Sequence, residues 1–259
     1  MGERSRNSVI SVVSSLGARI TMILTALLIV PMTINYVNST QYGIWLTLSS
    51  IIGWVSFFDL GLGNGLRNRF AEAKAKGDTV LARQYVSTTY LINIIISVGL
   101  LVAVEIVNCF LDWPSILHID ASYYRELRDV FTILFAFFCL NMVAILFSSI
   151  LKADQKPGLE LWIKSLTQLL ALGVIYVLTK TTEGSLFHLA AFYSGIPAIV
   201  LLVVSVLAFK FTRYKAYAPS LRLARREQVK DVMGIGIQFF IIYLCTIIIF
   251  QMTNIVVSR

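Results

Sequence analysis

Long apolar stretches separated by short polar connections make up most of this chain. A helix that crosses the hydrocarbon core of a bilayer needs about 20 mostly apolar residues. Since lipid offers no partners for backbone polar groups, such runs predict helices, and the alternating pattern of a barrel is absent. The pattern predicts an all-α polytopic membrane protein with about seven transmembrane helices. The predicted spans are 8–34, 42–60, 85–110, 129–151, 161–179, 186–209 and 232–257.

The composition agrees with a chain that is solvated mainly by lipid. Hydrophobic residues make up 57% and charged residues 14% of the 259 residues, against about 45–50% and about 25% in soluble domains. Three cysteines, Cys109, Cys139 and Cys245, lie in or beside apolar stretches. Their spacing predicts neither a disulfide framework nor a metal site.

The net charge of +8 raises the question of nucleic-acid binding, and the placement of the charges answers it. If the N-terminus is cytoplasmic, most Lys and Arg residues fall on the cytoplasmic side, spread over several separate segments. Only Arg125, Arg128, Lys180 and Arg259 fall on the other side. The positive-inside rule therefore predicts a cytoplasmic N-terminus, and the excess charge is explained without nucleic acid as a partner.

Arg19 is the most informative single residue because it lies inside the first apolar stretch. A cation near the bilayer midplane costs about 2.5–3.5 kcal/mol on insertion scales, so it ordinarily faces a polar cavity or a partner. Ser15 shares its helical face, and no Asp or Glu occupies the middle of any predicted span. We therefore expect Arg19 to face a cavity and to bind an anionic ligand, for which its planar fork is suited. The alternative is a structural contact, such as an ion pair with Asp59 or a bond to helix carbonyls.

Other polar positions in the predicted spans are candidates for the same cavity. Ser49, Ser56 and Asp59 share one face of the second span, which either lines the cavity or packs against a neighbouring helix. Gln251 and Asn254 are three residues apart in the last span and are the amides expected to contact substrate. No Ser/His/Asp, Cys/His or zinc-type arrangement is present, so we expect no catalytic residue, no metal and no cofactor. The protein is therefore not expected to be an enzyme.

Several segments together resemble a known family. They are 42–45 (YGIW), 59–68 (DLGLGNGLRN), 71–73 (AEA), 77–78 (GD), 234–240 (GIGIQFF) and 250–255 (FQMTNI). This set is similar to the Wzx-type O-antigen and polysaccharide flippases of the multidrug/oligosaccharidyl-lipid/polysaccharide exporter superfamily. The segment 59–68 is the most specific part, and the rest of the resemblance is mostly hydropathy.

The resemblance implies a fold of two six-helix lobes that enclose a central cavity. It assigns 1–209 to the N-terminal six-helix lobe and 210–231 to a cytoplasmic basic linker that contains an interfacial helix. Residues 232–259 then form the first helix of a second lobe, so the chain is expected to be truncated. The implied function is a flippase that moves undecaprenyl-diphosphate-linked oligosaccharide across the bacterial inner membrane for surface polysaccharide and O-antigen biosynthesis.

The resemblance also implies roles and partners. Arg19 would hold the diphosphate, and Ser15 would line the route. Arg67 and Arg69 would either attract the anionic headgroup at the cytoplasmic mouth or serve only as topology anchors. Expected partners are the lipid-linked oligosaccharide and membrane lipids, with a polysaccharide polymerase and glycosyltransferases as further candidates. Two other functions stay open: a cation-coupled multidrug exporter of the same superfamily, and a non-transporting membrane fragment or scaffold.

Overall fold

The structure is a computed structural model that describes residues 3–55, 61–117, 120 and 124–257, and the side chains of 14–53, 61–117, 120, 124–243, 245 and 246. Within these residues the chain is helical and contains no strand. The α-helices are α1 (Glu3–Val55), α2 (Leu62–Ala75), α3 (Thr79–Asn108), α4 (Trp113–Leu117), α5 (Tyr124–Ala144), α6 (Leu146–Ala153), α7 (Pro157–Thr181), α8 (Leu186–Phe211) and α9 (Arg226–Val257).

Five helices among the described residues are long and apolar enough to cross a membrane, which supports the membrane assignment. They are Ser14–Gly53, Thr79–Asn108, Tyr124–Ala153, Pro157–Thr181 and Leu186–Phe211. The first has 40 residues. A straight helix of that length would span about 60 Å, twice the thickness of the hydrocarbon core.

Asn38 divides α1 into two segments. Its backbone lies outside the helical region, with φ 68° and ψ 167°, a conformation that is strained for a residue with a side chain. The Asn38 side-chain oxygen accepts a hydrogen bond from the backbone N–H of Gln41 at 3.0 Å. This bond satisfies one of the free N–H groups at the start of the second segment, as an N-cap does.

The first segment of α1 runs parallel to α7. The indole N–H of Trp162, near the start of α7, donates to the Ser14 hydroxyl at 2.7 Å. The Tyr36 and Thr182 hydroxyls lie 3.0 Å apart at the other end of the two helices. The start of this segment thus contacts the start of α7, and its end contacts the end of α7, as in parallel helices.

The second segment of α1 returns along α8. Trp45 packs edge-on against Tyr193 of α8, with ring centroids 4.7 Å apart. In turn, Tyr193 and Ile196 pack against the Ala171–Ile175 turn of α7, so α7 and α8 form an antiparallel hairpin. The two segments of α1 are therefore antiparallel, and the count of seven spans stays a prediction.

The residue contacts divide the chain into two compact units. The first unit comprises Met1–Ile52 and Ser97–Val206, and the second comprises Gly53–Ile96 and Leu207–Arg259. This division follows packing, whereas the predicted boundaries at 209 and 231 follow membrane topology. Those boundaries stay predictions.

In the first unit, a buried asparagine joins α3, α4 and α5. Asn108 has no exposed surface. Its amide N–H groups donate to the Thr132 hydroxyl at 3.0 Å and to the Arg128 carbonyl at 3.4 Å, while its oxygen accepts from Trp113 at 2.7 Å. Thr132 donates onward to Glu105 at 2.8 Å. The hydrogen-bonding capacity of Asn108 is thus used within the protein.

In the second unit, α2 packs on α9 through glycine. A Cβ atom added to Gly65 would overlap the backbone carbonyl of Val232, and one on Gly61 would overlap that of Gly236. Gly61 also has a φ of 67°, which favours glycine. Gly61 and Gly65 of the segment 59–68 therefore permit close backbone contact between two helices.

The linker between α8 and α9 is not the single interfacial helix expected from the sequence. It forms two 3₁₀ turns, Arg213–Tyr217 and Leu221–Leu223, separated by an extended stretch that contains Pro219. Proline lacks an N–H and disfavours a helical conformation in the residue before it. The backbone N–H groups of Ser220 and Arg225 donate instead to the Ser87 and Thr88 hydroxyls of α3, at 3.1 and 3.0 Å.

The glycine contact generates a stability prediction. Gly65→Ala should lower the free energy of unfolding by about 1–3 kcal/mol, because the added methyl group forces α2 and α9 apart. Gly234→Ala on α9 is the matched control, since nothing lies within 4 Å of its Cβ position. This control should be neutral or stabilising by about 1 kcal/mol through helix propensity. Unfolding by sodium dodecyl sulfate in mixed micelles measures both variants, and equal midpoints would contradict the packing.

Candidate functional site

Two cavities lie among the membrane helices of the first unit. The larger has a volume of about 260 Å³ and is named here the Lys164 cavity. Its polar lining residues are Asn141, Ser148, Lys164, Thr167 and Gln168. The smaller has a volume of about 210 Å³ and is named the Trp45 cavity. It is lined by residues that include Trp45, Ser49, Phe137, Phe138, Tyr193 and Ser194.

The two cavities adjoin, because Asn141 and Pro197 line both of them. The Lys164 cavity lies towards the start of α7, and the Trp45 cavity lies towards the start of α8. Both cavities are partly open and mostly apolar, and together they bring several polar side chains of the unit into one continuous lining. This lining, named here the polar path, is defined by Lys164, Gln168, Ser148, Asn141, Ser49 and Trp45.

Two irregular positions in the helices border the shared region. The helical span Tyr124–Ala153 is interrupted at Ile145, between α5 and α6, where the bonds tighten from i+4 to i+3. Asn141 precedes this break by one turn, and Ser148 follows it by one turn. On α8, Pro197 deprives the Tyr193 carbonyl of its usual i+4 donor. Backbone irregularity in a membrane helix is tolerated where it lines a cavity.

Apart from Lys164, the polar groups of the path lack a hydrogen-bond partner among the described residues, as do the buried Ser165 and Tyr90 hydroxyls outside it. Ser148 is 2% exposed and Trp45 is 6% exposed, yet neither the Ser148 hydroxyl nor the Trp45 indole N–H bonds to any described residue. The side-chain oxygen of Gln168 is likewise buried without a partner. Asn141 and Ser49 also have no side-chain hydrogen bond within the described residues. A buried polar group without a partner costs about 1–3 kcal/mol, so water or a ligand at the Trp45 N–H and the Gln168 oxygen would remove a cost of this kind.

Neighbouring hydroxyl groups behave differently. Thr167 lines the Lys164 cavity but donates to the Ile163 carbonyl at 2.8 Å. Ser194 lines the Trp45 cavity and donates to the Ala190 carbonyl at 2.5 Å. Both hydroxyls are satisfied within their own helices, as is common for Ser and Thr in membrane helices.

The charge of the Lys164 cavity comes from one lysine with a buried counter-ion. The ammonium group of Lys164 lies 2.7 Å from a carboxylate oxygen of Glu160. Glu160 is 4% exposed and lies in the first turn of α7. No role was predicted for Glu160, because it lies one residue before the predicted span 161–179 and not in the middle of a span. The sequence feature that indicates this ion pair is the i,i+4 spacing of Glu160 and Lys164 on a predicted helix.

Arg19 has no ion pair and no hydrogen bond to its side chain within the described residues, and its side chain is exposed. It does not line either cavity, although Met22, one turn further along α1, lines the Lys164 cavity. Because α1 is parallel to α7 and Ser14 meets Trp162, Arg19 lies at about the level of Thr167. Its role as a diphosphate anchor stays a prediction.

The other predicted residues are placed as follows. Ser49 lines the Trp45 cavity, and Ser15 is half-buried on α1. Ser56 and Asp59 lie outside the described residues, so the alternative pairing of Arg19 with Asp59 stays open. Gln251 and Asn254 belong to α9, but their side chains are also outside the described set.

Arg67 and Arg69 belong to the second unit. Arg67 is exposed and has no partner among the described side chains. The guanidinium of Arg69 lies 3.0 Å from Glu72 and 3.9 Å from Asp231. Hydrogen bonds from Lys76 and Arg69 hold the pKa of Glu72 below its ordinary value. The charge of Arg69 is thus largely committed to carboxylates, whereas that of Arg67 is available to a headgroup.

Comparison with known proteins identifies no relative: no family model, no curated protein and no solved structure matches the chain. In the part of the chain that the structure describes, no group of three or more His, Cys, Asp or Glu side chains is placed to hold a metal ion. The function is therefore argued from the polar path itself.

The unpartnered state of Asn141 can be tested against a matched asparagine. Asn141→Leu should leave the free energy of unfolding within about 1 kcal/mol of the wild-type value, since no internal hydrogen bond is lost. Asn108→Leu should lower it by about 3 kcal/mol, because it removes several bonds and leaves the Trp113 N–H unpaired. Thermal unfolding in detergent, followed by circular dichroism, measures both. An equal loss of stability would show that Asn141 is a structural residue.

Proposed function

We propose that this chain belongs to a flippase that moves undecaprenyl-diphosphate-linked oligosaccharide across the bacterial inner membrane for surface polysaccharide and O-antigen biosynthesis. The observation that carries the proposal is the polar path inside a unit built from helices that are long and apolar enough to cross a membrane. A polar headgroup cannot cross hydrocarbon unless groups such as these replace its hydration shell.

The chemistry of the two cavities supports a ligand with an anionic part and a neutral part. The Lys164 cavity has a cation and several hydrogen-bonding groups beside it. The Trp45 cavity combines aromatic rings with the neutral polar groups of Ser49 and Asn141. Apolar walls with a few placed polar groups are typical of small-ligand sites. In the proposal, the diphosphate occupies the charged cavity and the first sugar occupies the aromatic one.

The proposal includes the number of transmembrane helices and the side of the membrane on which the N-terminus lies. The chain would supply seven transmembrane helices with the N-terminus in the cytoplasm: six in the first lobe, and α9 as the first helix of a second lobe. Arg19 is exposed on α1 without a counter-ion among the described residues. In a two-lobe protein this position would be covered by the second lobe or by substrate, and the guanidinium would hold the diphosphate before it reaches the Lys164 cavity, which Arg19 does not line.

The Trp45 cavity also favours a second candidate, a cation-coupled multidrug exporter of the same superfamily. Its aromatic lining (Phe137, Phe138, Tyr193 and Trp45) suits flat organic cations, which bind to ring faces. The two candidates differ in the charge of the ligand, because the exporter would carry a cation and the flippase an anion. Transport of each substrate by the same preparation separates them.

The test of the flippase uses the purified full-length protein in proteoliposomes that contain a fluorescent undecaprenyl-diphosphate disaccharide. Protection of the label from an impermeant quencher reports its transfer between leaflets. The wild type should flip the lipid, and Arg19→Ala should lower the rate at least tenfold, because the phosphate loses a bidentate cation. Arg19→Lys should restore part of the rate, because the charge returns without the planar fork.

Arg125→Ala is the matched control for this assay, since Arg125 is an exposed arginine of the same unit at the start of α5. It should flip the lipid at the wild-type rate. A wild-type rate for Arg19→Ala would refute the role of Arg19. Transport of an organic cation without transport of the lipid would replace the flippase by the exporter.

A further inference from the structure

Three charged side chains meet at one end of the polar path. The Glu160 carboxylate lies 2.7 Å from the Lys164 ammonium, one turn along α7, and 3.3 Å from the Lys152 ammonium of α6. Glu160 is 4% exposed, whereas the side chains of Lys152 and Lys164 are 39% and 46% exposed. Two cations thus share one buried anion, and the cluster carries one excess positive charge.

The cation nearest to the cavity is already held by a carboxylate, while the polar groups around it are free to bind. Lys164 and Ser148 both line the cavity, and the 2% exposed Ser148 hydroxyl has no partner among the described residues. Gln168 and Asn141 also line the cavity, and each carries a side-chain amide with N–H donors and an acceptor oxygen, of which the Gln168 oxygen is buried without a partner. An ammonium, a hydroxyl and amide donors around one cavity form a donor set for a multiply charged oxyanion.

We propose that the Lys164 cavity is a phosphate-binding site in which Glu160 acts as an exchangeable counter-ion. In the empty site the Glu160 carboxylate neutralises Lys164. An incoming phosphate replaces the carboxylate on Lys164, and Glu160 keeps its contact with Lys152. Glu160 therefore lowers the affinity for phosphate, because its carboxylate competes with the phosphate for Lys164. This inference rests on the proposed function in one respect only, the identity of the lipid that bears the phosphate.

A phosphate fits this exchange better than a carboxylate does. A phosphate monoester carries about −1.5 to −2 charge at neutral pH and presents three acceptor oxygens, and a diphosphate linked at both ends carries one negative charge and two non-bridging oxygens on each phosphate. Either group can therefore accept bonds from Lys164 and from Ser148 or Gln168 at once. Lysine is a common point-charge ligand for phosphate. A monocarboxylate offers only the interaction that Glu160 already supplies, so it would gain little by displacing that side chain.

Competition predicts opposite effects for the two partners of the ion pair. Glu160→Gln leaves Lys164 without an internal anion, so the ligand no longer has to displace one and binding should tighten by about tenfold. Lys164→Gln removes the phosphate ligand and should weaken binding by about tenfold. A purely structural ion pair predicts a loss in both variants, because each change would disturb the same packing.

The experiment measures equilibrium binding to the full chain in detergent by isothermal titration calorimetry. The probes are farnesyl diphosphate, inorganic pyrophosphate and farnesol. Wild type, Glu160→Gln, Lys164→Gln and Lys164→Arg are compared, and Lys164→Arg should retain most of the affinity. Lys180→Gln is the matched control, because Lys180 is an exposed lysine in the last turn of α7 and should bind like wild type. Size-exclusion chromatography confirms that each variant is folded.

The outcomes separate the source of the phosphate. Binding of both diphosphates but not of farnesol supports a site for the phosphate alone. Binding of farnesyl diphosphate only, with the predicted opposite shifts, supports a lipid headgroup as the occupant. Equal binding of farnesol, no binding by the wild type, or weaker binding by Glu160→Gln would overturn the proposal. Since the assay involves no sugar and no transport, phosphate binding without flipping would remove the proposed function and leave this site standing.

Discussion

The structure depends on one constraint: a polar group inside a lipid-solvated helical unit has to find a partner within the protein, in water or in a ligand. Asn108 meets this constraint internally, through bonds to Trp113, Thr132 and the Arg128 carbonyl. In the polar path, the buried Trp45 N–H and Gln168 oxygen have no partner, and no side-chain hydrogen bond joins Ser148 or Asn141 to a described residue. The Asn108 side chain is bonded within the unit and the Asn141 side chain to no described residue, which indicates that the polar path binds water or a ligand.

The helices create the path by leaving their regular geometry at the same level. The break at Ile145 and the proline at 197 both border the region that the two cavities share. The Glu160–Lys164 pair then fixes the charge at one end, while aromatic rings make the other end neutral. A ligand with an anionic part and a neutral polar part would match a charged cavity followed by a neutral one. Flipping of a diphosphate-linked sugar is the proposal that uses both ends.

The long spans were predictable, because bilayer thickness and the lack of backbone partners in lipid impose lengths that hydropathy reveals. Ser49 lines the Trp45 cavity, but Arg19 does not, so the cavity that the two residues were expected to share stays a prediction. The role of Glu160 was not predicted, because its buried state depends on Lys152 from another helix. Likewise, the linker does not form the expected helix, since its N–H groups bond to Ser87 and Thr88 of α3, which are remote in sequence. Local sequence patterns therefore predict the helices. The functional site also depends on contacts with residues that are distant in sequence, which local patterns do not show.

The most direct test asks whether the path admits water while the protein is in its membrane. A protein without Cys109, Cys139 and Cys245 would receive a single cysteine, either Ser148→Cys in the buried path or Leu169→Cys on the exposed apolar face of α7. A charged, membrane-impermeant methanethiosulfonate is then applied to sealed and to opened membrane vesicles. The account predicts modification of Ser148→Cys in the opened vesicles and none of Leu169→Cys, although Leu169 is 43% exposed and Ser148 only 2%. An unreactive Ser148→Cys, or equal reaction at the two positions, would contradict it.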